Sequence, residues 1–265
     1  MTESRQRLVA VLALVVIVGA CDLTVKNDEV GAISDLRVPS PSVVIGQLLR
    51  DSLGAEAPVA LDVFDATGQP LPTFPVVITW FDQSIGVDKF GFVRGMFRDT
   101  IGARLVGSAG NIQTPVHRLF VSVPPQVATQ GTGPTAITFD KAVDTTAQSN
   151  RSQGLDLTIT DNQGVGAQGF IVTYTITRSP TPLAPGQVTA FIANDAATLM
   201  PRDTTDHAGL ASRRVVLRQA GIGDPALVNG NKTDTIIVHV TASYGGSAIP
   251  GTPVDFIVPV ALKKP

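Results

Sequence analysis

Cysteine is almost missing from this chain: Cys21 is the only one among 265 residues. An internal disulfide is therefore excluded, and the fold must be held by hydrophobic cores, for which the chain is long enough. Aromatic residues are also scarce, with one tryptophan and two tyrosines, fewer than sugar- or peptide-binding surfaces usually display. Long runs of like charge are lacking, and the formal net charge is only −2, so the electrostatic footprint of a nucleic-acid binder is absent. No G-x-S-x-G elbow occurs, and Gly131-Thr132-Gly133-Pro134 lacks the lysine and following helix of a phosphate loop. His117, His207 and His239 have no partner at metal-ligand spacing, and the aspartates at 140, 144, 161, 203 and 206 show no D-x-D-x-D-G pattern. These absences predict no catalytic residue, no metal, no cofactor and no nucleic-acid partner.

The N-terminus has three parts in order. Arg5 and Arg7 form a short basic head, Leu8 to Val18 is an unbroken apolar run of eleven residues, and Gly19 and Ala20 are small. This is the order a secretory signal requires, and the run is short of the ~20 apolar residues a spanning helix needs. Val18-Gly19-Ala20-Cys21 resembles the lipobox of bacterial lipoproteins. The resemblance implies cleavage between Ala20 and Cys21, with diacylglycerol on the Cys21 thiol and acylation of the new amino terminus. Several acyl chains at ~0.8 kcal/mol per buried CH₂ would make the anchor durable. The expected location is the cell envelope, on the outer membrane or the outer face of the inner membrane. The mature chain would carry 18 basic and 21 acidic residues, with no polybasic patch beside the anchor.

Beyond a polar stretch expected to be a tether over 21–37, the chain reads as all-β. Short runs rich in Val, Ile, Thr and Phe alternate with glycine- and proline-containing turns, and no long helical periodicity appears. An internal repeat gives the organisation. Leu61-Asp62-Val63-Phe64-Asp65-Ala66-Thr67-Gly68 matches Leu157-Thr158-Ile159-Thr160-Asp161-Asn162-Gln163-Gly164 at an offset of 96. A second turn, Asp88-Lys89-Phe90-Gly91, matches Asp206-His207-Ala208-Gly209 at 118, and the closing strands 120–124 and 256–259 match at about 136. Two copies of one domain, the second enlarged by loops near 179–201 and 219–234, account for all three offsets. The expected domains are 38–124 and 125–265, joined by a semi-rigid hinge at Val123-Pro124-Pro125-Gln126.

Alternation within strands points to sandwiches, with one face buried and the other wet. Val76, Ile78 and Trp80 share a face in the first copy, and Phe170, Val172, Tyr174 and Ile176 share one in the second. The repeated turn-and-strand pattern, most closely at Thr205-Asp206-His207-Ala208-Gly209-Leu210-Ala211, resembles bacterial Ig-like domains of the invasin and intimin type. That resemblance implies two tandem immunoglobulin-like antiparallel β-sandwiches serving as stalk, spacer or adhesion modules. It also places Trp80 in the core, as Ig-like sandwiches commonly do. Gly107-Ser108-Ala109-Gly110 is expected in a turn between strands.

The functional expectation is a lipid-anchored, non-enzymatic spacer or binding module that meets a protein or glycan partner through the enlarged loops of the second domain. The alternative is a structural or accessory subunit of an envelope enzyme or transporter complex, pairing through an exposed edge strand.

Overall fold

The computed structural model describes residues 30–133, 136–139, 150–218 and 221–262. Nineteen strands follow in chain order among them. The first nine are β1 (Val30–Ile33), β2 (Ser42–Val44), β3 (Val63–Asp65), β4 (Val77–Trp80), β5 (Ile85–Val87), β6 (Val93–Gly95), β7 (Asp99–Ala109), β8 (Ile112–Gln113) and β9 (His117–Ser122). Then come β10 (Val127–Gln130), β11 (Ile137–Phe139), β12 (Leu155–Thr160), β13 (Ile171–Arg178), β14 (Ala190–Ala193) and β15 (Arg202–Thr204). The last are β16 (Leu210–Leu217), β17 (Asp234–Tyr244), β18 (Ser247–Ala248) and β19 (Val254–Leu262), with one short helix, α1 (Pro225–Val228), before β17.

The chain divides into two compact units, neither continuous in sequence. In the smaller, 30–37, Ala60–Thr79 and Val106–Val116 come together. There β1 pairs antiparallel with β3, and the end of β7 turns at Gly110 and Asn111 into β8. Leu36, Leu61, Val63, Val106 and Ala109 form its buried side. Two expectations change here. Residues 30–37 are folded, with Arg37 bridged to Ala60 and ion-paired to Asp62 at 2.9 Å, so they are not part of a free tether. Gly107-Ser108-Ala109 lies in β7, because Gly107 must approach Leu36: a Cβ there would stand 2.9 Å from the Leu36 side chain.

The larger unit holds Val38–Val59, Trp80–Leu105 and His117–Pro265. Its best-formed part is a two-sheet sandwich built from the second repeat. One sheet runs β10-β12-β16-β14 and the other β11-β19-β17-β13-β15. The alternation in β12 reads directly as burial: Leu155, Leu157 and Ile159 are fully buried while Asp156, Thr158 and Thr160 are partly exposed. Across the core they meet residues such as Val172, Tyr174, Val238, Val240, Phe256 and Val258 of the facing sheet. Burial of this kind stabilises by roughly 25 cal/mol per Å² of apolar surface. The pairing is antiparallel except at the margin, where β11 runs parallel to β19. The first repeat carries the same device, β2 parallel to β9 and β9 antiparallel to β7. The all-β, Ig-like sandwich expectation holds, with these parallel pairs as an addition the sequence did not suggest.

The repeated turns are alike down to their hydrogen bonds. In each, the aspartate Oδ1 accepts two backbone N–H groups and its carbonyl accepts from the glycine three residues on. This holds at Asp65, Asp88, Asp161 and Asp206. Asp51-Ser52-Leu53-Gly54 is a fifth such turn. At Gly91 and Gly209 the glycine also lies against neighbouring backbone, where a Cβ would stand 2.6 Å from the Val59 carbonyl oxygen and 2.0 Å from that of Ile159. A related turn, Asn194 to Ala197, has one amide on the Asn194 side chain and ends on an alanine at φ 61°.

Within the larger unit, residues of the first repeat are bonded to the second. Ser42 Oγ donates to the Gly169 carbonyl at 3.1 Å, and the Gln168 amide donates to Ser122 Oγ at 2.9 Å, all four residues being buried. Gln168 Nε2 reaches the Thr100 carbonyl at 3.1 Å, and Arg98 spans the Gly166 and His207 carbonyls. Tyr244 donates its hydroxyl hydrogen to Gln47 Oε1 at 2.5 Å. Val44 shares one hydrophobic cluster with the second repeat. The backbone approaches closely enough that a Cβ on Gly54 would stand 2.2 Å from Gly245.

Candidate functional site

The two enlarged loops are brought together. Leu183 N donates to the Gly221 carbonyl at 2.7 Å and Gly223 N to that of Thr181 at 2.8 Å, with Pro182 bridged to Ile222. A Cβ on Gly223 would stand 2.6 Å from Leu183 Cα, so a larger residue there would force the strands apart. The second loop then enters α1, capped by Asp224, whose Oδ1 accepts from Ala226 N and Leu227 N. Lys232 Nζ lies 2.7 Å from Asp224 Oδ2; that hydrogen bond, more than the amides, holds the carboxyl below the usual aspartate range. Ile222 and Leu227 are buried in the sandwich core, whereas Leu183 and Val188 are exposed. The loops expected to carry recognition therefore do two things: their inner side closes the core, and their outer side is free to present apolar surface. Ala220 lies outside the described residues.

At the other end of β13 and β17 a cleft of about 420 Å³ opens between the 39–52 segment and the second repeat. Its floor includes a row across three strands, since Thr173 pairs in register with Arg202 on β15 and with Thr241 on β17. These side chains point away from the core, opposite Val172 and Tyr174. Arg50 and Asp51 stand on the facing turn. Arg50 Nη1 donates to the Gly54 carbonyl at 2.7 Å, and its other nitrogen is 3.7 Å from Glu56. The Tyr244 ring packs edge-on against Phe170 at 5.5 Å. Burial raises the Tyr244 hydroxyl's pKa, and neighbouring Arg50 partly opposes this.

Other sequence candidates fall in different places. Ala20 and Cys21, with the whole expected signal peptide, lie outside the described residues, as do Asp140 and Asp144. Trp80 is a correction: it is 42% exposed, and Val76 and Val77 beside it are exposed too, so it is not the core tryptophan. His239 Nδ1 lies 2.8 Å from Asp255 Oδ1 on the neighbouring strand, His207 sits in its turn, and His117 begins β9. Asp203 and Asp206 are not brought together as ligands. Asp203 pairs with Arg213 at 2.8 Å, and Asp206 serves its turn. Among the described residues no three His, Cys, Asp or Glu side chains cluster as a metal site would need. Neither the joint residues Ser42, Ser122, Gln168 and Gly169 nor the cleft residues Arg50 and Arg202 carry a motif by which sequence would have found them. The nearest signal is the pair of glycines, Gly166 and Gly169, flanking Gln168.

No family model matches the chain, and no curated protein sequence does. Among solved structures, it is similar to the Yersinia pseudotuberculosis adhesin InvE, at 14% identity over 87% of this chain and 60% of that one, with a TM-score of 0.31. It is similar also to the Escherichia coli adhesin FdeC, at 13% identity over 87% of this chain and 66% of that one, TM-score 0.29. The tandem Ig repeats of Dlar are 7% identical over 88% of this chain and 97% of that one, TM-score 0.21. Scores this low add nothing to the assignment of Ig-like sandwiches, which rests on the strand order and parallel margins described above.

Proposed function

We propose that this chain is a non-enzymatic, lipid-anchored protein of the bacterial cell envelope that carries two Ig-like repeats as a stiff spacer and presents the paired loops of the second to a protein or glycan partner. The repeats are taken to divide at Val123-Pro124-Pro125-Gln126, with the first starting at β1. The observation that carries this reading is the joint in the larger unit. Ser42, Thr100 and Ser122 hold Gln168 and Gly169 by three hydrogen bonds, two of them between buried groups. A flexible string of domains has no use for buried polar contacts across its hinge, whereas a spacer that must hold a binding end away from a membrane does. The anchor itself is supported by residues 1–21 alone.

The edge-strand alternative gains no support from the β10-β12-β16-β14 sheet, where the Ile192 carbonyl of β14 accepts from Met200 N and Ala128 N of β10 donates to the Pro250 carbonyl. The test of the binding end is removal of the outer parts of both loops, sparing Ile222 and Leu227. Loss of a partner recovered by the full chain is the expected result; undiminished recovery overturns the placement. Intact-protein mass spectrometry with membrane fractionation tests the anchor, and an unmodified, soluble Cys21 overturns it.

A further inference from the structure

We infer that the cleft beside the joint is a binding site for an acidic saccharide bearing a carboxylate, of the uronic-acid class. The inference extends the binding-module reading to a second place on the molecule, distant from the paired loops. Three features carry it. The volume of about 420 Å³ falls within the range of small-molecule sites, toward its lower end. The polar lining is continuous: Thr173 lies in register with both Arg202 and Thr241, and cross-strand neighbours stand roughly 5 Å apart, within the span of one sugar ring. Each hydroxyl both donates and accepts, as a sugar hydroxyl does, so the row suits a polyol better than an apolar ligand.

The third feature is charge. Arg202 is exposed, and its guanidinium has no ion pair or hydrogen bond among the described residues. On the facing turn Arg50 is committed to the Gly54 carbonyl and lies 3.7 Å from Glu56, and it keeps further donors. The one carboxylate in the lining, Asp51, has an oxygen occupied by the Leu53 and Ala55 amides. With Arg50 paired to Glu56, the uncommitted positive charge of the cleft is Arg202, a free planar donor fork suited to a carboxylate. The Tyr244 ring, fixed by Phe170 and Gln47, supplies a rigid wall beside it.

The experiment titrates the full chain with glucuronate, glucose and acetate by calorimetry and ligand-observed NMR. Glucuronate is expected to bind, with glucose and acetate at least about tenfold weaker, a difference of roughly 1.4 kcal/mol. Arg202→Gln is expected to weaken glucuronate about tenfold with an unchanged melting temperature, because that side chain holds nothing else in place. Thr173→Val should weaken glucuronate and leave acetate unaffected. Equal binding of glucose, equal binding of acetate, or no binding of glucuronate up to about 10 mM, well past the range of weak specific sites, each overturns the assignment. The loop-deleted chain is expected to keep glucuronate binding, so this inference and the loop-based reading fail separately.

Discussion

Gly169→Ala tests whether the joint is as tight as its geometry states. Gly169 has φ 85°, and an added Cβ would stand 3.0 Å from Ser42 Oγ and 2.5 Å from Ser42 Cβ, which is fixed to its backbone and cannot swing away. The left-handed conformation costs an alanine about 1–2 kcal/mol, and overpacking of a closed contact adds about 1–3. Loss of freedom in the unfolded chain offsets roughly 0.4–1 kcal/mol. The expected destabilisation is therefore about 1–5 kcal/mol, centred on ~3. Gly164→Ala supplies the control, since Gly164 has φ 80° and nothing within 4 Å of an added Cβ. It shares the strain without the contact and is expected to cost only about 1 kcal/mol. Urea unfolding followed by far-ultraviolet circular dichroism measures both, provided the slopes agree. Equal losses for the two variants would refute the reasoning, because the difference between them is the joint contact alone.

Three further outcomes are expected. Ala197→Gly, at φ 61° in the Asn194 turn, should stabilise the chain by about 0.5–1 kcal/mol in the same assay. Trp80, being 42% exposed, should show quenchable fluorescence in the native state, and Trp80→Ala should cost less than the roughly 3–5 kcal/mol of a core tryptophan. Asp224 has its folded pKa lowered by Lys232 and the α1 amides, so its contribution is full above the ordinary aspartate pKa and is lost as pH falls through the lowered one. A carboxyl-carbon NMR titration should place its midpoint below that of an unstructured aspartate, and Lys232→Met should move it up.

Much of this architecture was legible because the turns announce themselves. An aspartate followed by glycine three residues on is a local hydrogen-bonded unit, so its recurrence at 65, 88, 161 and 206 exposed the repeat. Strand β1 was hidden because Gly31 and Ala32 separate its two β-branched residues, Val30 and Ile33, although it precedes β10 by 97 residues, close to the repeat offset of 96. Trp80 was misjudged because alternation defines two faces without saying which is covered, and in the first repeat neither face around it is. The loop pair was visible only as length. Ile222 and Leu227, two apolar residues amid Gly, Pro and Asn, were the trace of its core-closing role. The joint and the cleft depend on contacts such as Ser42 with Gly169 and Gln47 with Tyr244, 127 and 197 residues apart, which no local pattern encodes.

The most direct test of the stiff-spacer account is native-state hydrogen exchange at the Gln168 amide. Its hydrogen bond is to Ser122 Oγ across the joint, within a buried setting. If the joint is part of the cooperative structure, this amide should exchange only with global unfolding, at the protection level of β12 and β17, and Ser122→Ala should reduce that protection sharply. Exchange at the rate of an exposed loop, indifferent to Ser122→Ala, would contradict the account and leave the two repeats loosely strung.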